Sequence, residues 1–314
     1  MRFIMLGTSE FNLCCTQALL DTGGEICAMI SMPEDARPNN SADVENFAES
    51  NGIPYHEIGN INSSQSLKLL SSYSTDYIFV SWPKILKEKI LEIPINYCIG
   101  THPTDIPFNR GRHPLHWLIA LGISETKLSF LRMDKGVDTG DIILQVPFSI
   151  SPDDLIGDVV NKMNTAAYEG TVRLHEKLLT NPSYSGIKQN HTLANYWRKR
   201  TPHDIVIDLR MSSDFILRTV QSFTLPYPCA KLIFENNVIK IISASPVHVE
   251  MRHEQIRRLE PGRIISINNN TIRVKVDDRI IALECVGKIP EMLLKAKYIH
   301  PPSKYISEHD IKLF

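Results

Sequence analysis

The feature that most limits what this 314-residue chain can become is a set of short apolar runs without alternation. Arg2-Phe-Ile-Met-Leu6, Glu25-Ile-Cys-Ala-Met-Ile-Ser31 and Asp76-Tyr-Ile-Phe-Val-Ser81 are apolar at consecutive positions. Strands of that kind need cover on both faces, which an isolated antiparallel hairpin cannot give them. Helical patterns fall between them: 12–21, a helix through Glu49 with Ser41 as its N-cap and Gly52 closing it, and 65–72. Tyr55–Ile58 adds a short strand and 96–101 another. Strands that alternate with helices predict an α/β architecture, a doubly wound and mostly parallel Rossmann-like sheet.

The pattern changes downstream. Runs at 126–133 and 141–150 flank a glycine-bearing loop, and a helix is expected from Pro152 to about Thr180. Residues 181–191 (NPSYSGIKQNH) are polar and turn-rich, the composition of a linker. Two domains are therefore expected, 1–185 and 186–314. The second opens with a helix at 213–222. Five short alternating runs follow, at 231–234, 238–242, 263–267, 271–276 and 279–283, with Asn268-Asn269-Asn270 as a turn. They predict a small antiparallel sheet or barrel, OB-like in kind.

Composition removes several classes of function. Lys plus Arg number 34 against 35 Asp plus Glu, so the chain lacks the basic excess of a protein that grips phosphate backbones. No run approaches the ~20 apolar residues of a membrane span, and the N-terminus lacks a signal-peptide pattern. The six cysteines form no CxxC pair and no metal-ligand spacing, and several sit in apolar runs. The expectation is a soluble cytoplasmic protein with free thiols and no metal.

Two segments carry chemistry. Cys98 to Trp117, CIGTHPTDIPFNRGRHPLHW, holds three histidines, two arginines and three prolines directly after a buried strand. The carboxyl ends of strands are where doubly wound sheets bind ligands, and His102 falls there. The second segment, Asp134-Lys-Gly-Val-Asp138-Thr-Gly-Asp141, reads as a turn between strands or as the source of a carboxylate for His102; its spacing is wrong for an EF-hand. The turn at Gly7-Thr-Ser lacks the later glycines of GxGxxG, and the chain has neither a P-loop nor a GxSxG elbow.

These residues, in this order, resemble the folate-dependent formyltransferases. The resemblance runs through the Gly7-Thr-Ser turn, Asp76-Tyr-Ile-Phe-Val-Ser-Trp-Pro-Lys-Ile-Leu86, His102-x-x-x-x-Pro107, Arg110-Gly-Arg112 and Gly136-Val-Asp-Thr-Gly-Asp-Ile142. It continues through Arg200-Thr-Pro-His-Asp204, Pro226-Tyr-Pro-Cys-Ala230 and Pro261-Gly-Arg-Ile-Ile265, and so covers nearly the whole chain. It implies transfer of a formyl group from 10-formyltetrahydrofolate to a primary amine, with His102 and Asp138 catalytic and no metal. It places the folate against Trp82, Pro83, Lys84, Ile85, Leu86, Asp134, Gly136 and Val137. One position departs from the family pattern: Gly100 stands where an asparagine usually donates to the oxyanion, two residues before the histidine.

Two acceptors dominate this family. The enzymes acting on methionyl-tRNA resemble one another in a basic loop after the second strand, but here Met32–Val44 holds one arginine against three acids. The expected acceptor is therefore a nucleotide-linked amino sugar, of the sort used in lipopolysaccharide or O-antigen biosynthesis. Thr104, Asn109, Arg110, Arg112, His113 and Trp197 are its expected contacts, with arginines taking the diphosphate. Neither nucleic acid nor membrane is expected as a partner, and a homodimer would be unsurprising. The alternatives are methionyl-tRNA formyltransferase and a homologue that only binds, or hydrolyses, the folate.

Overall fold

A computed structural model describes residues 1–38, 41–248 and 250–305. Contacts divide the chain into two compact units. One comprises Met1–Pro114, Glu125–Ser149 and Val160–Trp197; the other comprises Leu115–Ser124, Ile150–Val159 and the chain from Arg198 onward.

The first unit runs β1 (Arg2–Gly7), α1 (Glu10–Asp21), β2 (Glu25–Ser31), α2 (Val44–Ser50), β3 (Tyr55–Glu57), α3 (Ser64–Ser71), β4 (Tyr77–Ser81), α4 (Glu88–Leu91), β5 (Tyr97–His102) and β6 (Arg110–Gly111). Past α5 (Pro114–Leu121), which from Leu115 belongs to the second unit, come β7 (Glu125–Arg132), β8 (Ile142–Ser149), α6 (Ile156–Thr180), in the first unit from Val160, and β9 (Tyr196–Trp197). Seven strands form one sheet in the order β3-β2-β1-β4-β5-β7-β8, parallel as far as β5 and antiparallel across β5-β7 and β7-β8. The missing alternation is explained directly. Phe3 and Met5 point to one face of β1, Ile4 and Leu6 to the other, and all four are fully buried. Burying each such side chain contributes roughly 1.5–3 kcal/mol.

The second unit holds α7 (Ser213–Ser222), β10 (Ala230–Phe234), β11 (Asn237–Pro246), α8 (His253–Arg257), β12 (Ile264–Asn268), β13 (Thr271–Lys275), β14 (Ile280–Cys285) and α9 (Glu291–Leu294). Its sheet is antiparallel, ordered β10-β11-β14-β13-β12. Ile216 and Val220 of α7 enter a core with Leu232, Ile241, Val274 and Leu283. None of the helices is long and apolar enough to cross a membrane, among the described residues.

Three of the boundaries that differ from the sequence reading have a clear cause. The N-cap of α2 is Asp43, whose carboxylate accepts the Asn46 N–H at 3.1 Å, so the helix starts after Ser41. Helix α6 starts at Ile156 because the carboxylates of Asp154 and Asp158 hold the turn before it, accepting from the Ser151 and Leu155 N–H groups. The first unit continues past 185 to Trp197: Ile187 bridges to Ile142, and β9 pairs with β6. A stretch with linker composition is thus part of the fold.

Candidate active site

His102 is the last residue of β5 and is 4% exposed. Asp138 lies in the loop from β7 to β8. That loop leaves beside β5, with the Met133 N–H donating to the Cys98 carbonyl at 2.9 Å, and turns back so that Asp138 Oδ2 reaches 3.5 Å from His102 Nδ1. The turn-back depends on Gly140, where a Cβ would lie 1.7 Å from the Arg132 carbonyl oxygen. Gly111, with φ at +110°, donates its N–H to the same Oδ2 at 2.9 Å. The carboxylate therefore has one oxygen fixed by a backbone donor and shared with the imidazole.

His102 Nε2 lies 2.9 Å from the Asn109 carbonyl. A carbonyl can only accept, so Nε2 carries the proton and Nδ1 is the nitrogen turned to the carboxylate. Asn109, His113 and Asp138 all have positive φ, at +63°, +54° and +55°. Left-handed backbone at non-glycine residues is uncommon, and three cases in the two segments that carry the pair mark a geometry imposed by the surroundings.

A cleft of about 420 Å³ has Asp138 in its wall. Its walls include Thr8, Ser9, Ser81, Trp82, Pro83, Gly100, Thr101, Met133, Asp134, Gly136, Asp138 and Gly140. That volume lies within the range of small-molecule sites. Asp134 Oδ1 accepts from the Gly136 N–H at 2.9 Å and from the Thr139 hydroxyl at 2.6 Å, so it shapes the loop as well as lining the cleft. Gly100 forms part of the floor. A Cβ there would stand 2.8 Å from Met133 Cγ, so the volume an asparagine would need is taken by methionine. Two residues away, burial pushes the Cys98 thiol up to about 12, so it does not ionise at neutral pH.

The expected site residues divide. His102 and Asp138 come together, and Trp82, Pro83, Asp134 and Gly136 line the cleft. Lys84, Ile85, Leu86 and Val137 lie outside its walls: Leu86 is buried, while Ile85 and Leu86 border a separate hollow with Lys135. Lys84 reaches toward the Gly59 carbonyl, and Val137 is exposed. Of the expected amine-side contacts, none borders the cleft. Thr104 is fully buried, its hydroxyl donating to the Phe108 and Asn109 carbonyls. Asn109 exchanges two hydrogen bonds with the Asn195 side chain, its N–H donating to Oδ1 and its own Oδ1 accepting from Nδ2. Arg112 is exposed, and its N–H donates to the Trp197 carbonyl; His113 is half-buried at the start of α5. Trp197 is half-buried in β9 against Gly111.

Arg110 is the clearest correction. It is 1% exposed, with Nη1 donating to Tyr196 Oη at 2.8 Å and Nη2 to Gln189 Oε1 at 2.5 Å and facing His191 Nδ1 at 3.0 Å. A guanidinium so placed braces the loops and has no face for a diphosphate. In the second unit Arg198 is paired with Asp204 and lies over the Trp117 ring, so it too is already engaged. Among the described residues no three His, Cys, Asp or Glu side chains gather so as to hold a metal ion. All six cysteines are free thiols.

A family model described as formyl transferase matches residues 1–174, and one described as formyl transferase, C-terminal domain, matches 199–292. The methionyl-tRNA formyltransferase of Desulforamulus reducens is 30% identical over 283 residues, 88% of this chain and 86% of that protein. Two solved structures share the fold at 16% identity. One is WlaRD, a sugar 3N-formyl transferase, in the presence of dTDP and 5-N-formyl-THF (TM-score 0.67; 92% of this chain, 99% of that one). The other is an N-formyltransferase from Helicobacter canadensis in complex with folinic acid and dTDP-3-aminofucose (TM-score 0.66; 91% and 99%).

Proposed function

The chain belongs to the formyl transferase family and is an enzyme of formyl transfer; on that premise we propose that it moves the formyl group of 10-formyltetrahydrofolate onto the primary amine of a nucleotide-linked amino sugar. The observation that carries the reading is the His102–Asp138 pair at the wall of the cleft. Formyl transfer asks the protein to accept a proton from the amine as it adds, and to hold the reacting groups in line. Asp138 borders the cleft and His102 backs it through Nδ1, so a proton taken at the cleft can be shared between the two. The imidazole cannot drift, because Nε2 is held by the Asn109 carbonyl. Trp82, Pro83, Asp134 and Gly136 would hold the folate, which supplies the one-carbon unit.

The choice of a sugar over tRNA rests on the loop after β2. Its one described cation, Arg37, is spent inside the unit: Nε donates to the Met32 carbonyl at 2.7 Å, and Nη2 donates to Tyr55 Oη at 2.7 Å and pairs with Glu57. Pairing of that kind leaves the loop no free charge for a phosphate backbone. The second reading, methionyl-tRNA as acceptor, is favoured by the 30% identity to the Desulforamulus reducens enzyme. One assay separates them. With 10-formyltetrahydrofolate present, formylation of an amine in a panel of nucleotide-linked amino sugars is expected, and none of charged initiator tRNA. Rapid, salt-sensitive formylation of methionyl-tRNA with an inert sugar panel would reverse the assignment. Formate release with no amine present would identify a hydrolase.

A further inference from the structure

We propose that Gln189 is a positioning residue for the Asp138 loop, a role that rests on the reading of His102 and Asp138 as the proton-transfer pair. Gln189 is 7% exposed and lies in the segment whose composition is that of a linker. Its side-chain amide has two N–H donors and one carbonyl, and all three are used. Nε2 donates to the Asp138 carbonyl at 2.9 Å and to the Gly140 carbonyl at 2.6 Å, while Oε1 accepts from Arg110 Nη2 at 2.5 Å. Arg110 is buried and precedes Gly111, whose N–H holds the Asp138 carboxylate. One amide thus joins the backbone under Asp138 to the strand that grips its side chain.

The loop needs such a brace. Asp138 has φ at +55°, which a free chain seldom adopts, so something outside the loop must select it. A backbone error of about 1 Å at a reacting group can cost on the order of a hundredfold in rate. His102 has a weaker counterpart of this brace. Asn195 exchanges two hydrogen bonds with Asn109, whose carbonyl holds His102, but Asn195 is exposed and water competes for its bonds.

Gln189→Glu separates bracing from packing. The carboxylate keeps, and strengthens, the link to Arg110, but it loses both donors and faces two carbonyls. The variant is expected to fold with a melting temperature lowered by a few degrees, since two buried carbonyls lose their donors. Its kcat should fall about ten- to hundredfold while the KM for the folate stays within about threefold. The ring resonances of His102 should shift in ligand-free protein, and Asn195→Ala should lose only a few-fold in kcat. Wild-type turnover in both Gln189→Glu and Gln189→Ala, with His102 resonances unmoved, would overturn the proposal. So would a loss of activity accounted for entirely by unfolding. If wild-type protein formylates no amine, the parent reading falls instead, and the resonance comparison by itself decides whether Gln189 sets the geometry of the pair.

Discussion

His102 and His116 stand fourteen residues apart in one crowded segment, and the two units of the molecule use them in opposite ways. Each has a ring nitrogen against a backbone carbonyl, Asn109 at 2.9 Å for His102 and Ser222 at 2.6 Å for His116. The remaining surroundings differ. The second nitrogen of His102 meets a carboxylate at the wall of a cleft. The ring of His116 stacks on Phe223 at 4.3 Å and stands edge-on to Tyr227, in a knot where Arg200 also lies over Trp117 and Phe223. The carboxylates repeat the contrast. Asp138 accepts a backbone N–H from Gly111, and Asp278 accepts one from Ser213 at the start of α7. Residue type and a first hydrogen bond do not make a site; the second partner and the adjoining space do.

The comparison breaks most sharply at the histidines. His102→Ala is expected to lower kcat about a thousandfold with little change in melting temperature, as loss of a proton-transfer group does. His116→Ala should do the reverse, costing about 1–3 kcal/mol of stability while turnover of folded enzyme stays within a few-fold. Formyl-transfer assays and denaturant titration of both variants check the pair. Similar kinetic losses would erase the contrast. Asp138→Asn comes next, with kcat down about a hundredfold and the folate KM nearly unchanged; a defect confined to KM would make Asp138 a binding group.

A smaller effect is expected at the cleft floor. Gly100→Asn should cost about 1–3 kcal/mol and leave kcat no higher, because the new side chain meets Met133; Gly100→Asn with Met133→Ala should recover the stability. Calorimetry of the single and double variants measures this. The smallest effect belongs to Asp278. Burial by itself would raise its carboxyl, but donation from the Ser213 hydroxyl and N–H and from Arg279 brings it down to about 2. A depressed folded value stabilises above the unfolded value and is lost as pH falls. The stability difference between wild type and Asp278→Asn should therefore close between about pH 4 and pH 2, and a constant difference across that range would show the carboxylate to be unlinked to folding.

Much of the fold was legible because burial leaves a composition behind. β2 and α7 occupy the residues expected of them, since a strand covered on both faces and an amphipathic helix each write their period into the sequence. The His102 and Asp138 motifs were legible as well. Gln189, Asn195 and His191 were not, because a polar, turn-rich run reads alike whether it spans a gap or clamps a loop. Only its partners, 49 to 86 positions away, tell the two apart. The burial of Arg110 was hidden for the same reason: a guanidinium reads as surface until the acceptors that take its N–H groups are placed. Ser41 lost the cap to Asp43 on a choice of two residues that composition does not make.

Met133 lying over Gly100 also sets an order on how such a cleft can change. An amide donor at position 100 would meet a thioether already in its place, so its gain depends on Met133 giving way. Room has to be made at 133 beforehand, and an intermediate carrying only that change would have a hole in its floor and nothing to show for it. A survey of substitutions taken one at a time would miss what the two positions can do as a pair.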